Sequence, residues 1–454
     1  MEGISALAVV VVAYSFVAPK LDRWLITGPM VFVAAGTVLG PGGLNLLPVS
    51  VSSEAVLTIT ELTLALVLFA DASTVRLLDV EGDAGLPNRL LFMGLPLTVL
   101  AGALLAHLML PGTGWAMAAL IATILAPTDA ALGLAVVTNR AVPVRIRRAL
   151  NVESGLNDGI ATPFVTFFIV LVAAEEGIGD QSWQAAGLRQ IGWAIVASVV
   201  VGYLGGRLLA FATDRGWTSG VSRQIAILAL ALLSYLGAVA IGGNGFVAAF
   251  AGGILFGAAT RGRLEESGRF TETLGLAASF VVWSVFGALF VGELLTHEFS
   301  LRPVLYAVVS LTVIRMVPVA IALTGAHLRP STIAFMGWFG PRGLASVVFT
   351  LIAMEEFEHS GNGAILFATA TWTILLSVVL HGISASPLAA RYGALIGRAG
   401  DVPENLPAGE PRLRLHERGS IAQEGAGDEG LPVPRPSADG GSGADSGARP
   451  ADPR

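Results

Sequence analysis

The stretch from Leu150 to Phe164, LNVESGLNDGIATPF, contains two acidic residues, several polar uncharged ones and no basic residue. It begins a predicted span, because a bilayer core of about 30 Å needs a helix of about 20 predominantly apolar residues. At about 100° per residue, Glu153 and Asn157 share one line of that helix, and Ser154 and Asp158 share the next. One face therefore presents hard oxygen ligands suited to Na⁺ and similar ions. The alternative interpretation is a polar seam between helices, satisfied by hydrogen bonds.

The composition is that of a polytopic membrane protein. The 454 residues are 54% hydrophobic and 13% charged, whereas ordinary globular domains carry about 25% charged residues. No basic face is available to neutralise phosphates, which excludes a nucleic-acid partner. The absence of cysteine excludes disulfides, thiolate metal sites and iron–sulfur clusters. The six histidines lack metal-ligand spacing and no Walker phosphate loop occurs, so we expect no cofactor and no ATP-driven pumping.

Thirteen spans can be placed along the chain by length and hydropathy. They lie near 3–19, 24–41, 54–72, 90–110, 115–138, 150–174, 188–212, 223–241, 244–260, 273–295, 303–324, 331–354 and 364–388. The first apolar run has no basic region before it, so we interpret it as a span rather than a signal peptide.

Basic residues alternate between the connections, which predicts the orientation of the spans. One set of connections carries nearly all of them: Lys20 and Arg23; Arg76 and Arg89; Arg140, Arg145, Arg147 and Arg148; Arg215 and Arg223; Arg261, Arg263 and Arg269; and Arg329. Cytoplasmic loops are enriched in Lys and Arg, and the number of spans is odd. We therefore expect a protein of the inner (plasma) membrane with its N-terminus outside and its C-terminus in the cytoplasm.

The end of the chain has a different composition from the rest. Residues 399–454 are rich in Pro, Gly, Ser and Asp and poor in apolar side chains. Such a segment cannot bury enough apolar surface to offset its chain entropy. We therefore expect a transmembrane domain over residues 1–398 and a disordered cytoplasmic tail over 399–454.

Two spans contain helix breakers beside a charge. The fifth contains APTDA at 126–130, where the proline removes a backbone donor and Thr128 with Asp129 can cap a restarted half-helix. The twelfth contains FGPRG at 339–343, which surrounds Arg342 with glycines and a proline. The two spans run in opposite directions, and broken helices at corresponding places in two inverted halves indicate a transporter's midplane site. Ordinary proline kinks are the alternative.

The buried charges do not balance. Each ionisable group in the membrane costs at least about 2.5 kcal/mol, so such groups mark ion or substrate pathways. Arg342 and Arg315 stay protonated, and each needs a carboxylate or several carbonyls. Asp129, Glu153 and Asp158 supply one carboxylate more than two arginines require. A proton or a cation can neutralise that carboxylate, and their competition, combined with alternating access, is a cation/proton exchange mechanism.

Four stretches together resemble the NhaP-type branch of the cation:proton antiporters, prokaryotic relatives of the animal sodium–proton exchangers. They are TELTLALVLFADAS (60–73), ILAPTDAALG (124–133), LNVESGLNDGIATPF (150–164) and FGPRGLASVVF (339–349). The resemblance runs in order over about residues 3–390. It implies an all-α polytopic fold with about thirteen transmembrane helices, inverted repeats and unwound crossing helices, as in the NhaA/NhaP-like antiporters.

The resemblance also implies an ion-binding shell. Asp158 would alternately carry H⁺ and Na⁺ or another monovalent cation. Ser154, Thr128 and an acid of the third span would complete the cation's oxygen ligands. For that acid, Asp71 is preferred to Glu61.

Further roles follow from the resemblance in the same way. Asp129 and Asn157 would hold the crossing together, and Glu153 with Arg342 would form a structural ion pair. The role of Arg315 is left open. Relatives with Asn before the carrier Asp are electroneutral, so one cation is expected to exchange for one proton. A homodimer is expected, because the family is dimeric.

Three rival functions remain from the residues alone. A channel would need a filter-like sequence, which no span contains. An intramembrane aspartyl hydrolase could use Asp129 and Asp158 as its pair. An organic-anion carrier could use Arg342, although the excess of acids favours cations. We therefore expect a transporter rather than an enzyme, with Na⁺, Li⁺ and K⁺ all open as substrates.

Overall fold

The computed structural model describes residues 2–74, 85–129, 132–177, 183–295, 300–357, 360–400 and 402–406. Within these ranges every regular element is a helix and no strand occurs, which confirms the predicted all-α architecture. Arg76, which contributed to the orientation argument, and the tail beyond residue 406 lie outside the described residues.

The first half of the chain forms eight α-helices. They are α1 (Glu2–Arg23), α2 (Gly28–Leu39), α3 (Glu54–Thr74), α4 (Gly85–Arg89), α5 (Leu95–Met109), α6 (Trp115–Ile124), α7 (Leu134–Val137) and α8 (Val144–Glu175). A π-helical segment, Leu90–Gly94, joins α4 to α5.

Eleven more α-helices follow. They are α9 (Trp183–Ala197), α10 (Gly205–Asp214), α11 (Gly220–Ala240), α12 (Gly245–Thr260), α13 (Arg269–Val285), α14 (Gly292–Leu294), α15 (Leu301–Leu311), α16 (Val313–Ala322), α17 (Pro330–Trp338), α18 (Leu344–Phe357) and α19 (Gly361–Gly397). Two further π-helical segments, Ser198–Leu204 and Phe286–Val291, join α9 to α10 and α13 to α14.

Among the described residues, nine helices are long and apolar enough to cross a membrane. Shorter apolar helices occupy Gly28–Leu39, Trp115–Ile124 and Gly245–Thr260. The remaining predicted span, the twelfth, falls on the split pair α17 and α18. The chain is thus a multi-pass membrane protein, while the predicted total of thirteen spans stays a prediction.

The helix that carries the acidic motif lies at the centre of the bundle. Helix α8 packs against α3, α6, α12 and α18. Helices α3 and α12 approach closely because Gly253 has no side chain, and a Cβ there would lie 2.4 Å from the backbone oxygen of Phe69. Small residues permit such close packing of helices in lipid. This contact fixes the end of α3 that carries Asp71.

The short segment after α19 folds back onto the bundle, although it falls within the predicted tail. Glu404 is buried, and its Oε1 accepts hydrogen bonds from the Arg329 N–H (2.8 Å) and the Thr332 hydroxyl (2.7 Å). Arg145 donates to the carbonyl of Pro403 at 2.8 Å. Burial by itself would raise the pKa of the Glu404 carboxyl, but these hydrogen bonds outweigh burial and hold the pKa below its ordinary value of 4.5.

Candidate functional site

Two interrupted helices cross at the middle of the bundle. Helix α6 ends at Ile124, and α17 is separated from α18 by the unwound residues 339–343. The Asp129 N–H donates to the Pro341 carbonyl at 2.8 Å, and the Asp129 carboxylate accepts from the Leu344 N–H at 3.1 Å. Asp129 was expected to cap a restarted half-helix of its own span. Instead it accepts at the N-terminus of α18, since α7 begins five residues later.

The two breaks satisfy each other's backbone groups. The Ser346 hydroxyl donates to the Ile124 carbonyl at 2.7 Å, and an Arg342 guanidinium nitrogen donates to the Ala126 carbonyl at 2.7 Å. Both carbonyls lie at the end of α6, where no helical partner remains. Irregular backbone at this depth is tolerated only where protein groups pair it in this way.

The glycine of the second break is required by a close approach. A Cβ on Gly343 would lie 2.0 Å from the Cβ of Asp129. The breaker sequence FGPRG therefore does more than interrupt a helix, because it also leaves room for the Asp129 side chain.

The acidic motif of α8 meets the first break through hydroxyl and amide groups. The Asn157 amide donates to the Thr128 hydroxyl at 2.7 Å, and the same hydroxyl lies 3.1 Å from that of Ser154. All three side chains are buried. The structure thus brings the predicted residues Asn157, Thr128 and Ser154 together beside Asp129 at the crossing.

The expected ion pair between Glu153 and Arg342 is wrong. The Glu153 carboxylate lies 2.6 Å from a guanidinium nitrogen of Arg315, and these side chains are 2% and 1% exposed. Arg342 instead contacts further carbonyl oxygens, those of Pro127 and Ser310, at 3.4 Å. Arg342 lies in the unwound stretch, where carbonyls without helical partners need donors, so it does not need a carboxylate. The numbers of buried arginines and carboxylates in the sequence predict that each arginine needs a partner. They do not predict which arginine faces α8.

A small cavity of about 40 Å³, here called the inner cavity, adjoins the crossing. Its lining includes the predicted residues Asp71, Asp129, Ser154 and Asp158, and two residues that sequence reasoning missed, Thr271 and Glu272. Glu61 is not among its lining residues and is hydrogen-bonded to Tyr235. Of these two acids, Asp71 lines the inner cavity and Glu61 does not.

A larger cavity of about 320 Å³, here called the vestibule, adjoins the inner cavity. The two cavities share Ala70, Asp71, Thr271 and Glu272 in their linings. Arg263 and Arg269, from the arginine-rich connections, line the vestibule and not the inner cavity. The vestibule thus lies between the inner cavity and the arginine-rich end of the bundle.

A serine and a histidine of α19 hold both ends of the second break. The Arg342 N–H donates to the Ser377 hydroxyl at 2.6 Å. One turn later, His381 Nδ1 lies 3.1 Å from that hydroxyl and Nε2 lies 2.9 Å from the Trp338 carbonyl. His381 Nδ1 also lies 3.1 Å from the Ser377 carbonyl, so each ring nitrogen faces a carbonyl oxygen. Neither residue was identified from the sequence alone. Their spacing of one helical turn within an apolar span could have indicated that the two polar side chains lie on one face of α19.

The donors around the inner cavity are carboxylates and hydroxyls. Among the residues that the structure describes, no three or more histidine, aspartate or glutamate side chains are grouped closely enough to hold a metal ion by themselves. A cation at the inner cavity would therefore need hydroxyl or carbonyl oxygens beside the carboxylates. Oxygen donors of this kind suit hard cations.

Comparison with known proteins gives a consistent picture. The family model for the transmembrane sodium/hydrogen exchanger matches residues 6–391. The K(+)/H(+) antiporter NhaP of Alkalimonas amylolytica is 29% identical over 285 residues, which are 61% of this chain and 47% of that protein. The Na(+)/H(+) antiporter of Schizosaccharomyces pombe is 25% identical over 316 residues, 62% of this chain and 65% of the relative. The matched part of the chain thus spans 47% of the length of the first relative and 65% of the second.

Solved structures share the fold. A structure of the sodium proton antiporter MjNhaP1 from Methanocaldococcus jannaschii at pH 8 is similar to this chain, with a TM-score of 0.69 and 20% sequence identity. The superposed part comprises 87% of this chain and 100% of the MjNhaP1 chain. An electron-microscopy map of the same protein gives a TM-score of 0.65 at 21% identity, covering 86% and 97%. The predicted antiporter fold is therefore confirmed.

Proposed function

Because the chain belongs to the sodium/hydrogen exchanger family, we propose that it exchanges a monovalent cation for H⁺ across a membrane. The observation that supports this most directly is the inner cavity, whose lining includes Asp71, Asp129, Ser154 and Asp158. Na⁺ is the first candidate and K⁺ or Li⁺ are alternatives, since the names of the two relatives differ in their cation.

Asp158 is the proposed carrier. The Glu153 carboxylate is engaged by Arg315, and the Asp129 carboxylate accepts from the N-terminus of α18. Asp158 borders the cavity one helical turn from Ser154, whose hydroxyl supplies a further ligand. A proton and a cation would then compete for Asp158, because either one neutralises it. Ser154, Thr128 and Asp71 would complete the oxygen ligands of the cation.

The stoichiometry proposed is one cation for one proton. Asn157 donates to the Thr128 hydroxyl and carries no charge at any pH, so it adds no second titrating site beside the carrier. Alternating access would expose Asp158 to one side of the membrane at a time. Asp129 and Asn157 would hold the crossing in shape during that exchange.

The proposed setting is the plasma membrane. The N-terminus would lie outside and the C-terminus in the cytoplasm, so the vestibule would open to the cytoplasm. The transmembrane domain would cover residues 1–398, followed by the cytoplasmic tail, and the protein would be a homodimer. No catalytic role is proposed for the acids, in contrast to the hydrolase alternative.

Proton flux in proteoliposomes tests this proposal. A pH-sensitive dye inside the vesicles is expected to report proton movement on addition of NaCl, KCl or LiCl, and clamping the membrane voltage should leave the rate unchanged. Asp158→Asn is expected to abolish the flux while the protein remains folded. Glu54→Gln, which removes an exposed carboxylate at the first residue of α3 and outside the linings of both cavities, is the control and should transport normally.

The outcomes separate the candidates. Flux that follows the voltage would mean that a second charge moves with the cation. Normal transport by Asp158→Asn would make the carrier assignment wrong. Absence of coupled flux under every cation would favour a channel or a hydrolase instead.

A further inference from the structure

The hydroxyl of Thr271 is buried without a hydrogen-bond partner. Thr271 is 1% exposed, and its Oγ1 has no partner in the part of the chain that the structure describes. Most helical threonines avoid this by donating to a carbonyl one turn earlier, as Thr273 does to Arg269 at 2.9 Å. A buried polar group left unpaired costs about 1–3 kcal/mol. The orphaned hydroxyl is therefore an unused ligand.

The position of Thr271 shows where that ligand is available. Thr271 lines both the inner cavity and the vestibule, and so do Asp71 and Glu272. Asp71 lies near the end of α3, and the other two residues lie in the first turn of α13. The three side chains therefore lie where the two cavities meet, at a position here called the neck.

The neck shares Asp71 with the proposed carrier site and extends beyond that site to Thr271 and Glu272. Asp158, Ser154 and Asp129 border the inner cavity only, and none of them lines the vestibule. They belong to α8 and to the break after α6, whereas the neck is formed by α3 and α13. The neck therefore lies between the vestibule and Asp158.

The charges around the neck suit a cation. The acids that face it are Asp71 and Glu272, with Asp129 and Asp158 on the inner side and Glu265 and Glu266 on the vestibule side. The arginines of the vestibule are paired: Arg263 lies 3.0 Å from Asp214, and Arg269 lies 3.6 Å from Glu266. Carboxylate and hydroxyl oxygens bind hard cations such as Na⁺ in preference to soft metals.

We propose that Thr271, Asp71 and Glu272 form an entry site that binds the monovalent cation before it reaches Asp158. The inference rests on the proposed exchange function and adds a second binding position to it. The entry site raises the occupancy of the cation near the carrier, so it acts on the apparent affinity for the cation. Loss of Thr271 or Glu272, which are not ligands of the carrier site, leaves the maximal rate set by Asp158 unchanged.

The first test separates affinity from rate. Thr271→Val removes the hydroxyl and keeps the shape, and Thr271→Ser keeps the hydroxyl. In proteoliposomes, Thr271→Val is expected to raise the KM for Na⁺ by about five- to tenfold, corresponding to one lost ligand, with the maximal rate retained. Thr271→Ser should resemble the wild type. Thr273→Val, which removes a hydroxyl already bonded to its own helix, is the matched control.

The second test detects the entry site without transport. Detergent-purified Asp158→Asn is heated with NaCl and with choline chloride at equal ionic strength. The entry site predicts a higher unfolding temperature in NaCl that is lost in Asp158→Asn/Thr271→Val and in Asp158→Asn/Glu272→Gln. The second pair keeps the test valid if the valine variant does not fold.

The outcomes for the entry site and for the exchange function are distinguishable. A wild-type KM in Thr271→Val, or no difference between NaCl and choline in Asp158→Asn, overturns the entry site while exchange by the wild type upholds the function. A sodium effect that disappears with Thr271 in a protein that exchanges no cation upholds the site and overturns the function.

Discussion

Breaking the buried pair of Glu153 and Arg315 should destabilise the protein strongly. Glu153→Gln leaves the Arg315 charge at a position that is 1% exposed. The Nε and second terminal nitrogen of Arg315 have no hydrogen-bond partner among the described residues, so no other group compensates the charge. Removing one partner of such a pair costs about 3–5 kcal/mol. Arg342, a second buried positive charge nearby, increases the repulsion.

The reverse change should be similarly harmful, but the two changes together should not add. Arg315→Met strands the Glu153 carboxylate, whose second oxygen has no hydrogen-bond partner in the described part of the chain. Glu153→Gln/Arg315→Met removes both charges, so no uncompensated charge stays buried, and that stranded charge is the main cost of either single change. We therefore expect the double variant to be more stable than either single variant, with a coupling energy of about 2–4 kcal/mol.

Reversible unfolding in one detergent, followed by intrinsic fluorescence, measures these differences. The exposed pair of Arg263 and Asp214, at 53% and 57% exposure, is the control. Breaking an exposed pair should change the stability by about 1 kcal/mol or less. If Arg342→Met restores the stability of Glu153→Gln and Arg315→Met does not, the partner of Glu153 is Arg342 and not Arg315.

Three further predictions concern the crossing and the end of the chain. Ser377→Ala and His381→Ala should each raise the KM for the cation while the unfolding temperature changes little, because each change releases one end of the second break. His381→Gln can donate and accept hydrogen bonds, so it should restore the wild-type KM. A KM that stays raised in His381→Gln would contradict the positioning role of His381. Gly343→Ala should abolish transport or folding by displacing Asp129, so normal activity would show that the break is not tightly packed. Glu404→Gln should lower the unfolding temperature at pH 7. Because the folded-state pKa of this carboxyl is lowered, its contribution to the stability of the folded state is present above pH 4.5 and lost below it. An unfolding-temperature difference between variant and wild type that grew on acidification would contradict this prediction.

The sequence predicted the parts of the site that follow from local pattern. Spans of apolar residues, breakers beside charges and i, i+4 spacing are properties of single segments. They were enough to indicate that Asp129 and Arg342 lie in interrupted helices. The inverted arrangement of the two breaks then predicted their crossing, and the structure joins them by the bond between Asp129 and Pro341.

Other parts of the site depend on how helices face each other, which local pattern does not contain. Arg315 and Arg342 both needed partners, but only the packing of α16 against the rest of the bundle decides that Arg315 meets Glu153. Thr271 belongs to a predicted connection and first turn with no charge pattern to distinguish it. It gains a role only because α13 lies beside the end of α3, where Asp71 projects into the same cavities.

The hydrogen bonds of the crossing suggest why ion binding and helix movement would be coupled. Asp129 joins the first break to α18, and Asn157 joins it to α8, so α6, α8 and α18 form one bonded unit around Asp158. Asp71 and Thr271 reach the cavity from α3 and α13 instead. A cation bound at Asp158 and at Asp71 would therefore connect the two groups of helices, whereas a proton on Asp158 would neutralise the bonded unit alone. On the proposed function, a bound cation would thus hold α6, α8 and α18 to α3 and α13, and a bound proton would not. The cation and the proton would therefore act differently on the movement of these two groups of helices relative to each other.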